Sequence, residues 1–207
     1  MHTNARLFVI AAPSGAGKTT LVRAMVERHP ELRFSVSYTT RERRKNETDG
    51  RDYFFVSEEH FARLKDNGDL LESALVFDNH YGTSRSQVEE HLLNGHSVIL
   101  EIDWQGAQQV RRSMPDCISI FILPPSRQEL ARRLQARRTD SQAVIERRLR
   151  DALGDMSHWN EFDYCIINDQ LDTAVVQMEA VFAGTNTGNH RDNADLHDKI
   201  ERILAQP

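Results

Sequence analysis

An α/β fold is expected for this chain of 207 residues: a parallel central sheet covered by helices. Three observations predict it. Short apolar runs alternate with amphipathic stretches of helical period, the pattern of strand and helix in turn. A glycine-rich segment, residues 12–19 (Ala-Pro-Ser-Gly-Ala-Gly-Lys-Thr), joins the first apolar run to the first helical one. Two later runs, residues 97–102 and 118–123, are apolar enough to be central strands.

Taken in order, residues 7–11 (Leu-Phe-Val-Ile-Ala) form the first strand. The first helix runs from about Lys18 to His29, with Leu21, Val22, Met25 and Val26 on one face. Residues 33–38 alternate like a strand, and an arginine-rich loop follows over 39–52. Residues 53–56 read as a short strand. Ser57 is placed to cap the next helix, whose inner face carries Phe61 and Leu64. A strand over 70–77 and a helix over 84–93, with Val88 and Leu92 four apart, precede the strand at 97–102. Pro124 and Pro125 end the strand at 118–123. Helices are expected over 126–137, 141–156 and 171–182, with a strand over 163–167 between the last two. After a polar break at 184–189, Leu196, Ile200 and Ile203 align on a final helix.

Residues 35–96 interrupt the alternation with short strands and loops, so they read as an inserted substrate-binding subdomain. The expected layout is one domain: a core over 5–34 and 97–183, the insertion, a lid over 137–148 and a helical tail over 190–205.

The composition is that of an ordinary globular protein, 39% hydrophobic and 28% charged. A net charge of −5 argues against nucleic acid or an anionic membrane as main partner. No apolar run is long enough to span a bilayer. The apolar stretch after Arg6 is short and leads straight into the glycine-rich segment, so it does not read as a signal peptide. Cys117 and Cys165, the only cysteines, flank apolar runs and are expected as buried small hydrophobes, consistent with a reducing cytoplasm.

A glycine-rich turn between strand and helix aims successive backbone N–H groups at an anion. Ser14, Gly15, Ala16, Gly17, Lys18, Thr19 and Thr20 are therefore candidates to bind a nucleoside triphosphate. Lys18 would reach the β- and γ-phosphates, and the Thr19 hydroxyl would bind Mg²⁺. Ala12 stands where such loops usually have glycine; Pro13 holds it in extended geometry, which alanine adopts without strain.

Of the 26 cationic residues, 22 are arginines, and they cluster. One cluster holds Arg41, Arg43, Arg44 and Arg51. The other runs from Arg127 to Arg150, around Thr139 and Asp140. Most members fit a solvated surface. Arg133 and Arg137, four apart on one helix face, and Arg148 on the next helix could form a lid bringing positive charge to a triphosphate. Arg41, Arg44, Tyr53 and Tyr81 could hold a second phosphate, although the tyrosine rings could equally pack. Glu72 follows an apolar run. Glu101 and Asp103 end a strand, at the edge where α/β sheets bind ligands; a helix cap or a surface pair is the alternative.

With these residues in view, the chain resembles the guanylate kinases of the nucleoside-monophosphate kinase group over roughly residues 5–183. The resemblance rests on residues 12–19, 35–41 (Ser-Val-Ser-Tyr-Thr-Thr-Arg), 50–56 (Gly-Arg-Asp-Tyr-Phe-Phe-Val), 81–84 (Tyr-Gly-Thr-Ser), 101–106 (Glu-Ile-Asp-Trp-Gln-Gly) and 167–169 (Ile-Asn-Asp). It implies a P-loop kinase that transfers the ATP γ-phosphoryl group to GMP with Mg²⁺. The inserted subdomain would then bind GMP. By the same resemblance Ser37, Arg41, Arg44, Tyr53 and Tyr81 hold the GMP phosphate, and Glu72, Thr83 and Asp103 read the guanine. Arg133, Arg137 and Arg148 act on the ATP phosphates, and Asn168 lies near the adenine. Carboxylates suit guanine because they only accept, and guanine offers N–H donors at N1 and N2; Thr83 would donate to O6.

Three positions depart from the family pattern: Glu101 where aspartate is common, Thr83 for a frequent serine, and Arg138 for a common glycine. Glu101 would act on the metal only indirectly. Two rivals carry different expectations. A ribosyl-phosphate kinase of the same fold would not need Glu72, Thr83 and Asp103 together. A non-catalytic guanylate-kinase-like module would commonly lack the phosphate loop, which this chain keeps.

Overall fold

The structure, a computed structural model, describes residues 5–136 and 142–206. It divides into two compact units. One comprises Met1–Val9 with Pro30–Ile118, the other Ile10–His29 with Ser119–Pro207. Five strands form the main sheet in the order β2-β7-β1-β8-β9: β1 (Leu7–Ala11), β2 (Arg33–Phe34), β7 (Val98–Glu101), β8 (Ile118–Leu123) and β9 (Tyr164–Ile167). Arg33 and Phe34 pair in parallel with Val98 and Ile99, and Ile120–Leu123 pair in parallel with Tyr164–Ile167. All of β1 is buried, as its unbroken apolar run requires.

In the first unit a second sheet has the order β4-β3-β6-β5, from β3 (Tyr38–Thr39), β4 (Phe54–Phe55), β5 (Leu70–Val76) and β6 (Asn79–Ser84). Helices α2 (Glu58–Asp66), α3 (Arg85–Leu93) and α4 (Trp104–Ser113) lie against β5. Ser57 caps α2, accepting from His60 N at 3.2 Å, as expected from the sequence.

Three differences from the sequence reading have physical causes. The stretch 33–38 is not one strand. Ser35 N still bonds Ile99 O at 3.1 Å, but the chain then leaves the main sheet and pairs Tyr38 with Phe54 and Gly82 in the second. Strand β6 was not anticipated because it is polar. It returns from β5 through a two-residue turn, Phe77 and Asp78, both at positive φ (47° and 65°), the hand that suits hairpins. Helix α4 was not anticipated either; it buries only Gly106, Ala107 and Val110, too few large apolar residues to stand out.

The second unit holds α1 (Lys18–Arg28), α5 (Arg127–Gln135), α6 (Gln142–Met156), α7 (Leu171–Phe182) and α8 (Ala194–Leu204). A 3-10 turn, Ser157–Glu161, fills the gap between α6 and β9. The polar segment before α8 lies along β9: Cys165 N donates to Asn189 O at 2.8 Å, Arg191 N to Asp163 O at 2.9 Å, and His190 bridges Tyr164 antiparallel. Helix α8 buries Leu196, Ile200 and Ile203, and Trp159 meets His197 edge to face. Beyond α8, Gln206 Oε1 accepts from Arg127 N at 3.0 Å, and Arg127 Nη2 donates to Leu204 O. Both cysteines are buried free thiols, and burial pushes the Cys165 thiol up.

Candidate functional site

The predicted functional residues fall into two clusters, one in each unit. In the second unit the chain leaves β1 and turns through Gly15 and Gly17, at φ of 94° and 93°, before entering α1. Positive φ explains why glycine stands at both positions. Ala16 N bonds Pro13 O at 3.2 Å and closes the turn. Lys18, Thr19 and Thr20 form the first turn of α1, where helical N–H groups have no partner within the helix. Thr19 and Thr20 are exposed; Ser14 and Lys18 are half-buried.

Two side chains grip this loop. Asn168, just past β9 and buried, donates Nδ2 to Ala16 O at 2.8 Å. Arg133, on α5, donates Nη1 to Ala16 O at 3.2 Å and Nη2 to Asn168 O at 3.0 Å. A side chain at Gly17 would place its Cβ 2.4 Å from Asn168 Nδ2, so the fit tolerates only glycine. Leu130 and Leu134 of α5 press on Gly15, with 3.0 Å to a Cβ placed there. Gly17, Thr20, Arg133, Asn168, Asp169 and Leu171 line a depression of ≈ 250 Å³. A larger hollow of ≈ 460 Å³ at the start of α8, around Asn193 and His197, shares none of the predicted residues. Arg148 lies half-buried on α6. Arg137, Arg138 and the first part of the expected lid lie outside the described residues.

In the first unit Arg41, Tyr53 and Tyr81 come together. The Arg41 guanidinium stacks over Tyr53 at 5.4 Å and Phe55 at 5.8 Å, and Tyr53 meets Tyr81 edge to face at 5.8 Å. Burial, and then the charge of Glu101, push the Tyr53 hydroxyl up to about 12, so it stays protonated and able to donate. Glu47, which the sequence reading passed over, organises the arginines. Its carboxylate accepts from Arg41 Nη2 and from Arg44 N, each at 2.8 Å. Burial alone would raise the Glu47 carboxyl; the bonds from Arg41 and Arg44 outweigh it and hold it below the usual carboxylate range. The Arg44 side chain is exposed, and Ser37 is half-buried with its carbonyl bonded to Phe54 N at 2.9 Å.

Glu72, on β5, is 4% exposed, and Thr83, on β6, is fully buried. Their register places them opposite each other, and Thr83 Oγ1 donates to Glu72 Oε1 at 2.7 Å. The expected donation to a ligand thus has a protein acceptor in this state. Asp103 takes up the helix-cap role that was its alternative reading: it caps α4, accepting from Gly106 N at 2.7 Å. Gly106 itself was missed as a single residue. A Cβ there would stand 2.4 Å from Glu72 Oε2, so its absence gives the carboxylate room. Glu101 closes β7, half-buried.

A strand, a glycine-lined anion loop and a helix in this order define a P-loop nucleotide-binding protein of the α/β class. The family profile described as guanylate kinase matches residues 4–184. A guanylate kinase of Photorhabdus laumondii is 47% identical over 202 residues, covering 96% of this chain and 97% of its own. One from Pseudomonas fluorescens strain Pf0-1 is 50% identical over 203 residues, covering 98% of each. The crystal structure of guanylate kinase from Anaplasma phagocytophilum superposes with a TM-score of 0.75 at 31% identity, covering 100% of this chain and 99% of that one. The chain belongs to the guanylate kinase family.

Proposed function

We propose that the chain transfers the γ-phosphoryl group of ATP to GMP, giving ADP and GDP, in the cytoplasm. The observation that carries the choice of acceptor is the buried Glu72 carboxylate with the Thr83 hydroxyl 2.7 Å away. A buried acceptor-only group suits the N1–H and N2–H edge of guanine. Adenine, without the N1 proton, would offer that carboxylate no N1–H donor, a mismatch that sites built to bond such a group reject by about 10⁴–10⁵. Asp103 would share in reading the base. Ser37, Arg41, Arg44, Tyr53 and Tyr81 would hold the GMP phosphate, within an insertion over 35–96.

On the donor side, Ser14 to Thr20 would cradle the ATP phosphates, and Asn168 would border the adenine. Arg133, Arg137 and Arg148, the last two in a lid over 137–148, would neutralise charge on the group in flight. Among the described residues no three His, Cys, Asp or Glu side chains are grouped to hold a metal. Thr19 with the triphosphate oxygens fits Mg²⁺, which prefers one or two protein oxygens together with phosphates; Glu101 would contribute only indirectly. Bound there, Mg²⁺ would neutralise charge between the β- and γ-phosphates.

Transfer would be in line and without a covalent intermediate, because the GMP phosphate is itself an anionic nucleophile and needs no base. The chain's own residues would orient the two phosphates, supply positive charge and exclude water that would otherwise hydrolyse ATP. A coupled ADP-release assay across GMP, AMP, CMP and UMP tests the reading: turnover is expected with GMP alone. Lys18→Ala and Arg148→Ala should abolish most of it; near-normal turnover in either would refute the assignment.

A further inference from the structure

Ser126 and Glu129 open α5 with the spacing of a capping box, in which the glutamate normally reaches back to the cap residue. Only half of that box is built. Ser126 Oγ accepts from Glu129 N at 3.0 Å, but the Glu129 carboxylate turns forward along the helix. Its Oε1 accepts from Arg133 Nε at 2.7 Å, and both oxygens accept from Arg132 at 2.6 Å. Arg133 thereby has all three nitrogens engaged: Nε on Glu129, Nη1 on Ala16 O and Nη2 on Asn168 O. A planar guanidinium held at three points has its orientation fixed as well as its position. Arg132 meets the same carboxylate from outside, with its side chain 70% exposed against 22% for Arg133.

We infer that Glu129 is a positioning residue for the donor site, holding Arg133 against the phosphate loop so that its guanidinium is already oriented when the triphosphate arrives. Arg132 is a surface partner of the same carboxylate and takes no part. The inference deepens the donor-side role given to Arg133 above and rests on it. Without Glu129, Arg133 keeps its charge and its two carbonyl acceptors but loses the contact that sets the plane.

A double-variant cycle tests this, with ATP affinity by calorimetry, kcat and the GMP KM as readouts. Glu129→Ala should weaken ATP binding and lower kcat by about tenfold, less than the 10²–10³ that follows loss of a charge-stabilising donor itself. The GMP KM should stay within about twofold, since the acceptor contacts are untouched. Glu129→Gln, which keeps the acceptor oxygen without the charge, should recover part of the loss; it also serves if the alanine variant does not fold. Joined to Arg133→Ala, Glu129→Ala should add nothing further. Arg132→Ala should behave as the parent. Losses that multiply in the double variant, parental ATP affinity and kcat in Glu129→Ala, or an equal loss in Arg132→Ala would each overturn the inference. If the parent protein failed to phosphorylate GMP while the coupling persisted in ATP binding, the transfer reading would fall and the positioning role would stand.

Discussion

Thr83 and Glu72 face each other across the β5–β6 hairpin, the Thr83 hydroxyl donating to the Glu72 carboxylate over 2.7 Å, with no more than 4% of either exposed. On the proposed reading the base offers the carboxylate an N–H and accepts the Thr83 hydroxyl's hydrogen bond on an oxygen, two roles that guanine can fill. Glu72→Gln would put an amide where the proposed base contact needs an acceptor. If Glu72 selects the base as proposed, the ratio of kcat/KM for GMP over AMP should fall by about 10² or more. An unchanged ratio in a nucleotide panel would place base selection elsewhere.

Gly106 makes a separate test of the same pocket. Alanine is the better helix former by about 1 kcal/mol, so propensity alone favours Gly106→Ala. Sterics oppose it: the new Cβ would sit 2.4 Å from Glu72 Oε2. Overpacking of this kind costs about 1–3 kcal/mol, and sterics should win. The expected outcome is a lower Tm and a raised GMP KM with ATP affinity retained.

Acid titration should expose the Glu129 contact. Hydrogen bonds from Arg132 first, and Arg133 next, draw its carboxyl from the usual 4.5 down to about 2. A carboxyl depressed in the folded state stabilises it above the unfolded value, and that contribution disappears as pH falls through the folded one. The stability of the parent should therefore decline between about 4.5 and about 2 more steeply than that of Glu129→Gln. Denaturant midpoints across that range measure the difference, and identical slopes would count against it.

Cys165 is fully buried and its thiol is pushed up, so it presents no thiolate to reagents. Labelling by an aromatic disulfide should be negligible in the native protein and should follow global unfolding as denaturant is added. Fast labelling of the native state at this residue would contradict the packing around β9.

Much of this was legible in the chain. The glycine loop announced itself because its positive-φ positions admit little else, and Gly15 and Gly17 have that geometry. Continuous apolar runs marked β1, β7 and β8 because a strand buried on both faces has no polar side to disguise it. The second sheet was harder. Residues 79–84 are Asn, His, Tyr, Gly, Thr and Ser, without an apolar aliphatic side chain, and become a strand only because the turn at Phe77 and Asp78 brings them back onto β5. Arg41, Arg44, Tyr53 and Tyr81 stand out in the chain as candidates for one phosphate, and the structure brings Arg41, Tyr53 and Tyr81 together, yet Glu47, which fastens the arginines there, gives no signal. Its role depends on a loop closing six residues back onto Arg41, and no periodicity encodes that. Glu129 did leave a trace, the Ser-x-x-Glu spacing, but the spacing pointed to a cap rather than to the arginines its carboxylate meets.

Residues 189–191 run beside β9, the last strand of the main sheet, and satisfy the amide of Cys165 and the carbonyl of Asp163. An outermost strand with bare amides is a template on which another molecule can crystallise its own backbone. This stretch acts as a hem. Variants trimmed after Ala183 would fray there, so loss of solubility on shortening the protein should precede any loss of chemistry.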